Sequence, residues 1–171
     1  MYEDYPLQQS VRHRADVSQP AFVHRAKLLL KRADDCLVKP SRHGVALLAR
    51  HEEALHGATS ALRHVYGVAL EVGPPHVRLR GMPPHEPIMD IRVNVPVSRE
   101  DAVKRVLRRR SVALFNESHG GTRCLLEGEA PLARLLGLGG DLKHVTLGSS
   151  LLWTSLARYE PCSLEPEPLA A

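Results

Sequence analysis

Aromatic side chains are scarce in this sequence. Phe, Trp and Tyr together make 4% of its 171 residues, so any core must be built mostly from Leu, Val and Ala. Apolar residues still reach 43%, enough to fill one ordinary domain or two small ones. Cysteine is reduced to Cys36, Cys124 and Cys162, an odd and widely spaced set that suggests neither a disulfide framework nor a CxxC metal site. No run approaches eighteen apolar residues, and the opening M-Y-E-D-Y-P-L-Q-Q-S lacks the basic-then-apolar order of a signal peptide. The expectation is a cytoplasmic protein without a membrane partner. No G-x-x-x-x-G-K-[ST] loop is present, so no nucleotide and no cofactor is expected. His51 and His56 stand five apart in H-E-E-A-L-H, off the single helical face that a zinc-protease pair needs, so no metal is expected there. No nucleophile elbow supports a catalytic triad, and the protein is read as not an enzyme.

What is present is organised around residues 86–110. In E-P-I-M-D-I-R-V-N-V-P, Met89, Ile91, Val93 and Val95 alternate with Asp90, Arg92 and Asn94, the period of a half-buried strand. Pro96 closes it. Ser98, with Asp101 three positions on, has the form of a capping box opening a helix over 99–109. Ala102, Val103, Val106 and Leu107 make that helix's apolar stripe, and Arg99, Lys104, Arg105, Arg108 and Arg109 its outer face.

The remaining segments fall into the same rhythm. A leader over 1–9 is expected to be loose. A short strand over 10–17 precedes a helix that starts at Ser18-Gln19-Pro20 and buries Phe22, Ala26, Leu29, Leu30 and Ala33. Strands at 36–39 and 45–49, a helix over 52–66 burying Leu55, Ala58, Leu62 and Val65 and ended by Gly67, and a strand at 68–72 complete βαββαβ. After the helix over 99–109, strands at 111–116 and 122–129, a helix at 131–138 and a strand at 151–159 repeat that order. The fold class is therefore α+β, two tandem ferredoxin-like (βαββαβ) domains spanning 10–80 and 87–161, with a linker at 81–86 and an unstructured tail at 162–171.

The string EPIM-x-I-x-V-x-V-P followed by L-R-R-R resembles the opening of domain V of bacterial elongation factor G. Further on, E-A-P-L-A (129–133), G-G-D-L-K-H-V-T (139–146) and R-Y-E-P (158–161) resemble that domain's later signatures, in order and at matching spacing. His64–Val77, H-V-Y-G-V-A-L-E-V-G-P-P-H-V, resembles the end of domain III. The resemblance implies a trimmed relative, with domains III and V joined directly and the GTPase domain, domain II and domain IV absent. Ser111 stands where the family has a glycine, the loop Thr146–Ser150 lacks the family's arginine, and Ala49–Leu55 lacks glycines that serve the surface facing the GTPase domain.

Charge patterning alone makes Arg105, Arg108, Arg109 and Arg110 a solvated face favouring a helix C-terminus. The resemblance implies more, since domain V docks at the factor-binding centre of the large ribosomal subunit, between the sarcin–ricin loop and the stalk base. Guanidinium groups suit RNA because they pair with phosphates and stack on bases. Arg105, Arg108, Arg109, Arg110, Arg123, Lys143 and His144 are the candidate ribosome contacts, with large-subunit rRNA and stalk-base proteins as partners. The alternative is a protein-interaction module, a homodimer or part of an assembly, that reuses the fold without RNA.

Overall fold

The computed structural model describes residues 2–14, 19–31 and 33–162. The first unit runs β1 (Leu7–His13), α1 (Gln19–Leu29), β2 (Cys36–Ser41), β3 (Gly44–Ala49), α2 (Glu52–Tyr66) and β4 (Leu70–Val77). Its strands lie in the order β2-β3-β1-β4, every neighbouring pair antiparallel. The second unit repeats this with β5 (His85–Pro96), α3 (Glu100–Arg109), β6 (Ala113–Gly120), β7 (Arg123–Pro131), the short α4 (Leu132–Leu135), α5 (Leu138–Thr146) and β8 (Leu151–Pro161). Its order is β6-β7-β5-β8. Both are split-βαβ sheets, so the chain is α+β with two ferredoxin-like units in tandem.

The alternation expected of β5 holds, with Met89, Ile91, Val93 and Val95 all buried. Against them pack Val103, Val106 and Leu107 of α3 and Leu126 of β7. In the first unit, Leu7, Val11 and Leu47 meet Phe22 and Ala26 of α1 and Leu55, Ala58 and Leu62 of α2. Gly67 ends α2 with φ 54, a conformation that glycine adopts without Cβ strain.

Several expectations need correction. Residues up to 9 are not a loose leader: β1 begins at Leu7, Leu7 is fully buried, and Tyr5 is buried with its hydroxyl donating to Asp34 O at 3.2 Å. The weak alternation of residues 10–17 concealed a strand that starts earlier, and 15–18, including the expected helix start at Ser18, lie outside the described residues. Leu29 and Val65 are exposed, because each sits at the edge of its helix's apolar stripe. Ser98 does not cap α3. Residues 97–99 instead form one 3-10 turn after Pro96, and Glu100 and Asp101 supply negative charge to the first helical turn. The helix expected at 131–138 is a single turn, interrupted by Gly137 at φ 80, and a longer helix restarts at Leu138. Leu138, Leu142 and Thr146 are its buried i, i+4, i+8 positions. All but the first residue of the expected tail lies outside the described residues.

Residues 78–84 join the units, and Arg80 and His85 exchange both backbone hydrogen bonds, 2.9 and 2.6 Å. The units also touch directly. Gly137 N donates to Glu52 Oε2 at 2.8 Å, Tyr159 OH donates to Glu3 O at 3.3 Å, and the Arg80 guanidinium lies 3.9 Å from the Tyr159 ring centre.

Candidate functional site

The capping turn and buried stripe of α3 decide which of its cations face outward. With Val103, Val106 and Leu107 turned to the sheet, Arg105, Arg108 and Arg109 are exposed. None of the three side chains has a hydrogen-bond or ion-pair partner among the described residues. They line a groove of about 420 Å³ together with Ala102, Val106 and Val145 of α5. Arg108 and Arg109 occupy the last turn of α3, where cations complement the partial negative charge of the helix C-terminus. Lys143 and His144, in the last turn of α5, are likewise exposed without partners among the described residues. The result is an unneutralised cationic surface with an apolar floor.

Two of the seven candidate cations are engaged inside the fold. Arg110 donates to Asp141 Oδ2 through Nε (3.1 Å) and Nη2 (2.7 Å), and through Nη1 to Arg134 O (2.8 Å) and Leu136 O (2.7 Å). It thereby satisfies carbonyls left open where α4 breaks. Arg123 bonds the Asn94 side chain and donates to Asn94 O and Ser149 O at 3.1 and 2.9 Å. It ties β7 to β5 and to the loop before β8. Sequence reading could not separate these from the free arginines, because the separation depends on tertiary partners.

The sheet face opposite the helices is more evenly charged. Arg92 pairs with Glu127 at 2.9 Å, and Arg158 makes a two-oxygen pair with Glu129 at 2.7 and 2.9 Å. Those bonds hold the Glu129 carboxyl below its ordinary range. Beside them Trp153, opposite Arg92 in the ladder, and Leu151 are each about half exposed.

Sequence reading missed one charged cluster on the helix side. Lys104 Nζ lies 2.6 Å from Glu100 Oε1 and 2.7 Å from Glu117 Oε2, and His119 Nε2 lies 2.9 Å from Glu100 Oε2. The Lys104 and His119 bonds hold the Glu100 carboxyl down at about 2, and the carboxylates raise the Lys104 ammonium. The available signal was E-x-H-G-G-T-R-C (117–124), because a hairpin turned at Gly121-Thr122 brings alternate residues of both strands onto one face.

The family described as "Elongation factor G C-terminus" matches residues 84–168. The elongation factor 2 of Methanoculleus marisnigri is 28% identical over 110 residues, covering 64% of this chain and 15% of the relative. The elongation factor G of Rhodopirellula baltica is 33% identical over 88 residues, 50% of this chain and 12% of the relative. The chain thus spans only a small part of the length of these relatives. A crystal structure of a Thermus thermophilus protein superposes on 94% of this chain and 41% of its own, with TM-score 0.62 and 14% identity, a likeness of fold spanning both units.

Proposed function

We propose that this chain, a relative of elongation factors G and 2 whose residues 84–168 belong to the elongation factor G C-terminus family, is a non-enzymatic ribosome-associated factor. Its second unit would bind at or near the factor-binding centre of the large subunit and modulate translation by occupying that place. The observation that carries this reading is the unspent charge of Arg105, Arg108 and Arg109 around an apolar groove. Guanidinium groups with no intramolecular carboxylate keep their donors for phosphate oxygens and their planes for stacking. Lys143 and His144 extend the same cationic character to α5. Arg110 and Arg123 act indirectly, by fixing the helices and the loop that present the others.

The test is co-sedimentation of the purified protein with 70S ribosomes and separated subunits, at low and moderate salt, with and without excess elongation factor G. Expected is binding to the large subunit, displaced by the factor. Three phosphate-paired arginines give a log–log salt slope of about −2 to −3. Replacing Arg105, Arg108 and Arg109 by Gln should weaken binding at least tenfold while leaving the melting temperature nearly unchanged. Undiminished binding by that triple variant would sink the arginine assignment, and absence of ribosome binding the whole reading.

A second reading is favoured by the half-exposed Trp153 and Leu151 on the open sheet face. On that reading two copies pair through this face. Salt-insensitive dimers by light scattering, lost in Trp153→Ser, would support it.

A further inference from the structure

We propose that Glu100, Glu117, His119 and Cys124 form a binding site for a divalent ion of the zinc type, joining the β6–β7 hairpin to the start of α3. The inference is independent of the ribosome reading.

The site is built by the ladder. His119 and Cys124 are direct partners across β6 and β7, so their side chains share the helix-facing side. Glu117, two residues before His119, shares that side, and Glu100 comes down onto it from the first turn of α3. One ligand atom from each of the four lies within 4.8 Å of every other. One sulfur, one imidazole nitrogen and two carboxylate oxygens are four mixed donors, the number and kind that zinc takes in tetrahedral sites. Magnesium and calcium prefer all-oxygen cages, so this set selects against them.

The local charge also calls for a cation. Two carboxylates face a single ammonium, Lys104, which spans them at 2.6 and 2.7 Å. The Cys124 thiol is fully buried beneath these carboxylates, shielded from solvent. A thiol that coordinates a divalent cation is deprotonated outright. The balance closes. Zinc binds the thiolate, its proton leaves to solvent, His119 Nε2 turns from Glu100 to the ion, and Lys104 swings outward on its flexible stem. Three negative ligands against two positive charges leave one, which the displaced ammonium still neutralises.

The experiment titrates the full chain with Zn²⁺ and, as a spectroscopic probe, with Co²⁺. Expected are one ion per chain, release of about one proton per zinc near neutral pH, and a near-ultraviolet thiolate-to-cobalt charge-transfer band. His119→Ala, at an exposed position, should weaken binding at least tenfold with the fold retained. Cys124→Ala should abolish the charge-transfer band, and Cys162→Ser should leave it intact. Lys104→Met, which removes the competing cation, should bind more tightly than the parent. A band that survives Cys124→Ala, or that disappears with Cys162→Ser, would overturn the assignment. So would undiminished affinity in His119→Ala, or the lack of any band at one equivalent of cobalt.

Discussion

Helices α1 and α3 follow the first strand of their units and pack on equivalent sheets, yet their charges are arranged differently. Helix α1 has no acidic residue in its first turn, one lysine in its last, and Leu28 and Leu29 exposed on its outer side. Helix α3 opens with Glu100 and Asp101 and closes with Arg108 and Arg109. Its acids sit at the positive end of the helix dipole and its arginines at the negative end, so the sorting stabilises the helix while leaving one end rich in carboxylate and the other in guanidinium. The same position in the scaffold therefore carries two chemically distinct poles on α3 and none on α1. Core packing sets where a helix lies; outward charges that core packing leaves free decide what it can recognise.

That comparison can be broken first at the anchors. Phe22→Ala in α1 and Leu107→Ala in α3 both empty fully packed positions, and each should cost about 2–5 kcal/mol in denaturant unfolding. A much smaller loss at either would mean that the two helices are not equivalent anchors. Next come the arginines themselves. Arg110→Ala, which abandons four hydrogen bonds to Asp141, Arg134 and Leu136, should lower stability by about 1–3 kcal/mol. Arg109→Ala should stay within about 0.5 kcal/mol of the parent by the same measurement.

An effect of opposite sign is expected just beyond α3. Ser111 has φ 55, in the left-handed region, and Ser111→Gly should raise stability by roughly 0.5–1 kcal/mol, read as a higher melting temperature. The last effect is a pH dependence. The Glu100 carboxyl, lowered from 4.5 to about 2, contributes stability that is complete above its unfolded value and lost as pH falls through the folded one. Acid unfolding profiles of Glu100→Gln should therefore be flatter between those limits than those of the parent.

The fold was legible because both units write their cores in simple periods. Met89, Ile91, Val93 and Val95 declare a strand, and Leu55, Ala58 and Leu62 a helix face, before any tertiary contact is known. The start of β1 was hidden because Leu7 and Tyr5 sit among polar residues and are buried by distant partners. The helix expected at 131–138 divides at Gly137, since glycine at φ 80 stops one helix and launches the next within a single turn. Of the candidate site, the exposed stripe of α3 followed from its apolar pattern. The engagement of Arg110 and Arg123 did not, since their partners lie about thirty residues away in the chain.

The bridge between Arg80 and His85 has a consequence for protein engineering. Hydrogen-bonded antiparallel partners hold their Cα atoms about 5.5 Å apart, so the chain leaves the first unit and enters the second through what is geometrically one narrow doorway. A folded insert whose own termini lie close together could be spliced there without separating Glu52 from Gly137, one of the contacts that brace the units elsewhere. Residues 81–84 are thus a natural port for adding a reporter, or a third body, to this scaffold.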